Sequence, residues 1–262
     1  MTTTPPNTAI PTCDVLGFAV HRLTKAQFLS QIEAYVAARI PSRHIVTLNV
    51  DILVQALANK ALARILRRAD LVVADGMPVV WYSRVIRQPV PERINGTDLV
   101  ADLAELSSRR GYRLFFLGSS PESSLAAQSA LKATYPNVVI AGSYQPPPDP
   151  WPEDEDERIA AAIREARPDI LLVAFGTPKA ETWVEQHAAG VPVSIGIGGA
   201  LDILAGKFKR APVWMQKNGL EWAYRLSQEP KRLGRRYLLR DARVFYDVAR
   251  YWLRRLIKGS SR

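Results

Sequence analysis

Short runs of aliphatic residues recur along this chain, and each gives way to small or polar residues and then to a stretch with helical patterning. "HIVTLN" precedes "VDILVQALANKALARIL", "LVVADG" precedes "MPVVWYSRVI", and "RLFFLGSS" precedes "PESSLAAQSALKATY". "DILLVAFGT" before "PKAETWVEQHA" and "VSIGIGG" before "ALDILAG" continue the series. Strands and helices alternating across short connections predict an α/β fold with a mostly parallel sheet covered by helices. Ligands of such sheets collect at the carboxyl ends of the strands, where the small and polar residues of this chain fall.

The 262 residues suit one large domain, or one domain with an appendage. The single cysteine, Cys13, cannot form an internal disulfide, so a reducing, cytoplasmic setting is expected and an inert thiol with it. No run approaches the roughly 18 to 20 apolar residues that span a bilayer, and "MTTTPPNTAIPT" lacks the pattern of a signal peptide. The formal charge of +10 is unevenly placed. Residues 207–262 hold 16 Lys/Arg against 4 Asp/Glu, leaving residues 1–206 slightly acidic. On a helix Arg236, Arg240, Arg243, Arg250, Arg254 and Lys258 form a stripe opposite Leu238, Phe245, Val248, Trp252 and Leu256. This basic tail fits an anionic lipid surface, a nucleic acid, or a solvated face with core contacts behind it. The expected organisation is a flexible N-terminus (1–13), an α/β domain (14–206) and a basic helical appendage (207–262).

Candidate chemistry sits at the strand ends. Thr47 and Asn49 of "TLN" point to one side of a strand terminus, where they can hydrogen-bond a sugar or, for Asn49, cap the helix that follows. Asp75 closes "LVVAD", and because Gly76 and Met77-Pro78 open the next turn, its carboxylate is free to act as a general base. The turns "GSSPES" and "GTPKAE" expose backbone amides at helix starts, where phosphate or sugar oxygens bind, although ordinary capping explains them equally. With "GIGGALD" they add Gly118, Ser119, Gly176, Lys179, Gly198, Gly199 and Asp202 to the candidate substrate-binding set. Leu201 stands where GxGxxG needs its third glycine, which disfavours a dinucleotide site. Asp154-Glu155-Asp156 has the DxD spacing of metal-holding transferases but reads better as an acidic helix start. His21, His44 and His187 are too scattered to suggest a metal, and no cofactor is expected. Gln145–Pro152, rich in proline, reads as an exposed loop.

Taken in order, "TLN", "ADGMPVV", "ERINGTDL", "FLGSSPE", "FGTPKAETW", "GIGGALDILAGKFKRAP" and "GLEWAYRLSQEPKRLGRRY" resemble the WecG/TagA/CpsF glycosyltransferases over about Asp14 to Tyr237. The resemblance implies a Rossmann-like domain and inverting, metal-independent transfer from a UDP-sugar to a polyprenyl-diphosphate-linked sugar at the inner face of the plasma membrane. It makes Asp75 the catalytic base, puts Thr47 and Asn49 on the transferred sugar and Arg93 in the pocket, and assigns Arg225, Arg232 and Arg235 to the diphosphate. Arginine suits that last task through bidentate phosphate contact. One departure is Pro178-Lys179-Ala180-Glu181, where the family commonly has Gln in place of Ala180. It tilts the expected donor toward UDP-glucose, as in a xanthan-type branch, with UDP-N-acetylmannosamine or its uronic acid as the alternative. The expected partners are the donor, the lipid-linked acceptor and the membrane surface, with a homo-oligomer left open and nucleic acid not expected. A non-catalytic nucleic-acid-binding module is the reading from another class.

Overall fold

The computed structural model describes residues 10–39, 42–217, 220–230 and 234. An antiparallel hairpin, β1 (Thr12–Val15) and β2 (Phe18–His21), comes first. Its two-residue turn, Leu16-Gly17, has positive φ at both positions, as a tight hairpin demands, and Asp14 Oδ1 accepts from the Gly17 N–H at 2.8 Å. Thr12 and Cys13, expected in the flexible N-terminus, are therefore part of a strand. Burial of Cys13 pushes its thiol up to about 11, which keeps it protonated and unreactive.

The helix α1 (Lys25–Ala38) starts from a capping box, Thr24 with Gln27. Then come β3 (Arg43–Leu48), α2 (Val50–Ala58), α3 (Lys60–Arg68), β4 (Leu71–Ala74), α4 (Met77–Val85) and α5 (Gly96–Arg110). After these follow β5 (Arg113–Gly118), α6 (Pro121–Thr134), β6 (Val139–Tyr144), α7 (Glu155–Ala166), β7 (Ile170–Ala174), α8 (Lys179–His187), β8 (Val193–Gly196) and α9 (Ala200–Leu204). The stretch expected as one helix from Val50 breaks at Asn59, whose side chain accepts from the N–H groups of Ala61 and Leu62 and so starts α3 anew. The strand β6 is an addition to the expected set.

The six later strands form one parallel sheet in the order β4-β3-β8-β7-β5-β6. Alternation within each strand sorts the core to two faces. Ile45, Leu71, Val73, Leu114, Phe116, Ile170, Leu172, Val193 and Ile195 pack in a cluster with Phe28 and Ile32 of α1, Leu99 and Leu103 of α5, Leu131 of α6 and Leu201 of α9. On the other face Val46, Leu48, Val72 and Ala74 pack under the hairpin and α2 to α4, while Phe115, Leu117, Leu171 and Val173 pack under α7 and α8. Beyond Gly206 come α10 (Val213–Lys217) and α11 (Glu221–Gln228). Among the described residues there, only Ala211 is buried. No helix among the described residues is long and apolar enough to cross a membrane. The expected basic helix carrying Arg236 to Lys258 lies outside the described residues.

Candidate active site

Three strand ends converge. The register that sets Leu48 beside Ala74 makes Asn49 and Asp75 neighbours one step beyond the sheet, and β8 flanks β3 on its other side. Asp75 donates its backbone N–H to Leu48 O at 2.9 Å, which turns the chain at the sheet margin. Asn49 Nδ2 donates to Asp75 Oδ2 at 3.3 Å, while its Oδ1 accepts from the Ile52 N–H at 3.0 Å. The cap expected as one of two readings of Asn49 is thus made by its amide oxygen, and its amide nitrogen is turned to Asp75. Gly76, which makes no side-chain cap, opens α4 and leaves the Asp75 carboxylate out of capping. Its other oxygen, Oδ1, accepts from the Gly96 N–H at 3.3 Å, at the first residue of α5.

Burial raises the Asp75 pKa from 3.8 to about 6, against the pull of the Asn49 hydrogen bond, the Arg93 charge and the Gly96 N–H; the Glu221 carboxylate adds to the rise. A carboxylate of that strength is ionised near neutral pH yet basic enough to take a proton from an alcohol in a transition state. Arg93 Nη1 donates to Glu221 Oε2 at 2.9 Å, a pair whose side chains are only 17% and 26% exposed. Thr47 is buried, and its Oγ1 donates to the Gly196 carbonyl at 2.9 Å, joining β3 to the end of β8.

A second group lies at the turns after β5 and β8. Gly118 has φ +94°, and a Cβ there would stand 2.7 Å from the Phe175 ring, so only glycine fits. Ser119, also at positive φ, donates Oγ to Asp202 Oδ1 at 3.4 Å, and Asp202 is 3.6 Å from Lys207 Nζ. Gly198 and Gly199 are exposed, and the Arg225 Nη2 lies 3.8 Å from where a Gly199 Cβ would be. Arg225 stacks on Phe208, its Cζ 3.9 Å from the ring centroid, and its Nε donates to Glu229 at 2.9 Å. Its Nη1 is buried without a hydrogen-bond partner.

Other expected residues go elsewhere. Lys179 holds its ammonium 3.3 Å from the Trp151 ring centroid and pairs with Asp149, so the Pro-rich loop engages it, away from Asp75. Gly176 has φ +74° with open space beside it. The DxD spacing is an acidic helix start: Asp154 pairs with Arg158, buried Glu155 accepts from Tyr144 Oη, and Asp156 accepts from Trp183 Nε1. Among the described residues no group of three His, Cys, Asp or Glu could hold a metal ion. Arg232 and Arg235 lie outside the described residues. Glu221 and Glu181 escaped the sequence reading. Glu181 is buried, accepts from Thr177 Oγ1 at 3.2 Å, keeps Oε2 unpartnered, and is raised by burial to about 7. It occurs in the quoted "FGTPKAETW", but nothing in that string shows that its carboxyl faces inward.

An ionisable carboxylate at the mouth of a parallel sheet, ringed by an amide, a backbone N–H and an arginine, is a setting for acid–base chemistry on a polar substrate. Residues 13–258 match the glycosyl transferase WecG/TagA/CpsF family. The chain belongs to that family. It is 32% identical over 241 residues to the N-acetylglucosaminyldiphosphoundecaprenol N-acetyl-beta-D-mannosaminyltransferase of Staphylococcus aureus strain MW2, a match covering 90% of this chain and 92% of the relative. The protein of the same name from strain NCTC 8325 / PS 47 matches to the same extent. The chain is therefore a glycosyltransferase.

Proposed function

We propose that this glycosyltransferase moves an N-acetylmannosamine-type sugar from a UDP donor to an N-acetylglucosaminyl-diphosphate-polyprenol, with inversion and with Asp75 as the general base. The placement of Asp75 carries the reading: a half-buried residue with a carboxylate of raised pKa, oriented by Asn49 and Gly96, at the strand end where β3 and β4 part. In the reaction the acceptor hydroxyl gives its proton to Asp75 as its oxygen bonds the anomeric carbon, while the bond from that carbon to the UDP oxygen breaks on the opposite face. Negative charge then builds on the departing diphosphate and calls for fixed cations. Arg225, already facing the Gly199 turn, is one; Arg232 and Arg235 are proposed as the others. Thr47 and Asn49 line the sugar's place, and the exposed glycines 198 and 199 leave room for the nucleotide phosphates.

We also propose residues 14–206 as the catalytic domain and 207–262 as an appendage that completes the site and meets the inner leaflet. The exposed Trp214 and Trp222 beside the basic tail support that placement. The two Staphylococcus relatives favour N-acetylmannosamine over the UDP-glucose suggested by Ala180. The side chain of Ala180 is buried against Gly196, beside the Glu181 carboxyl. Offering UDP-N-acetylmannosamine, its uronic acid and UDP-glucose with N-acetylglucosaminyl- and glucosyl-diphosphate lipids tests the donor and acceptor together. Turnover of the first donor on the first acceptor is expected, and turnover restricted to UDP-glucose would replace that reading. In the same assay Asp75→Asn is expected to lower transfer by about 10³-fold or more, on the scale of losing a general base. A nucleic-acid-binding module would be indifferent to that change.

A further inference from the structure

The most enclosed ion pair between the core and the segment after Gly206 joins Arg93 to Glu221, 128 residues apart. Glu221 is the first residue of α11, and Arg225, one turn on, falls on the same side of the helix. Through this pair of positions α11 bridges both parts of the site: Glu221 reaches the guanidinium beside Asp75, and Arg225 reaches the glycine turn after β8. An arginine left alone next to Asp75 would be drawn toward the carboxylate and would weaken it as a base. A carboxylate on the far side of that arginine opposes both effects.

We propose that Glu221 is a positioning residue of the transferase, clamping Arg93 so that the guanidinium stands beside Asp75 without collapsing onto it when α11 closes the site. The inference rests on the reading of Asp75 as the base. The groups that act on the Asp75 carboxyl are Asn49 from just past β3, Arg93 from the loop before α5, the Gly96 N–H at the start of α5, and Glu221 from α11. Of these only Glu221 favours the protonated form. Asp98, farther along α5, is turned to Arg210 and Asn95.

The test is the pH profile of kcat/KM, which reports the free enzyme, for the full chain and for Glu221→Gln, Glu221→Asp and Asp75→Asn. Glu221→Gln is expected to move the acidic limb downward by about half a pH unit or more, since a like charge near the base is lost. It is also expected to lower kcat by ~10-fold with a smaller change in KM, as a misplaced catalytic group does. Glu221→Asp is expected to return the limb toward its original position. A uniform loss at every pH with the limb unmoved would reduce Glu221 to a structural strut and overturn the proposal, as would unchanged kinetics. If Asp75→Asn abolishes transfer while Glu221→Gln is silent, the inference falls and the base stands. If Asp75→Asn retains transfer, the base assignment itself falls.

Discussion

Asn49 shows how closely folding and chemistry are joined at single residues. Its amide oxygen starts α2 and its amide nitrogen steadies Asp75, so different substitutions separate the two tasks. Asn49→Ala is expected to cost about 1 kcal/mol of stability through the lost cap. Asn49→Asp keeps the cap but sets a second carboxylate against Asp75, so the acidic limb of the rate profile is expected to move upward from that of the parent. Comparing urea melts with pH–rate curves of the two variants checks both statements. Glu181 gives a different pH signature. The unfolded chain releases this proton near 4.5 and the folded chain holds it to about 7, so stability falls as pH rises between those values. Glu181→Gln is expected to match the parent below pH 4.5 and to be more stable above pH 7, by up to about 3 kcal/mol; thermal melts at the two pH values decide it. The placement of Asn49 and Asp75 was legible because polar residues at the ends of aliphatic runs must emerge at the sheet margin, whereas Thr47 stays buried inside β3 with its hydroxyl on the Gly196 carbonyl. The Arg93–Glu221 pair was not, since no local pattern joins positions 128 residues apart.

At the scale of elements, periodicity identified the strands that are buried on both faces and missed those that are not. The four residues of β4 and the last four of β3 are all buried, and both strands read as continuous aliphatic runs. Every residue of β6 is half-buried, with Gly142 in its middle, so it carries no such run. The hairpin was hidden for another reason: its turn needs positive φ at Leu16, a residue that gives no turn signal. That hairpin guards the edge of the sheet on which Asp75 depends. The Val72 N–H of β4 donates to His21 Nδ1 at 3.0 Å, so an imidazole satisfies a backbone donor that an edge strand would otherwise present to solvent. Burial lowers the His21 pKa, which keeps the accepting nitrogen unprotonated.

Among the described residues, the apolar clusters end before the appendage begins, with Leu201 and Leu204 their last members. Among the described residues, the segment beyond is joined to the body by the ion pairs Arg93–Glu221, Arg210–Asp98 and Lys207–Asp202, and Arg225 stacks on Phe208 within it. A chain ending at Gly206 is therefore expected to keep cooperative melting while losing transfer; a thermal melt followed by circular dichroism and the lipid-acceptor assay read the two outcomes separately. The basic excess of residues 207–262 was legible in the sequence, although which acids receive the bases at Lys207 and Arg210 needed the folded chain. Fastenings of this kind have little grease in them. Ions in the surrounding water weaken such clasps without touching the oily interior, so added salt is expected to loosen α11 while the body beneath stays folded.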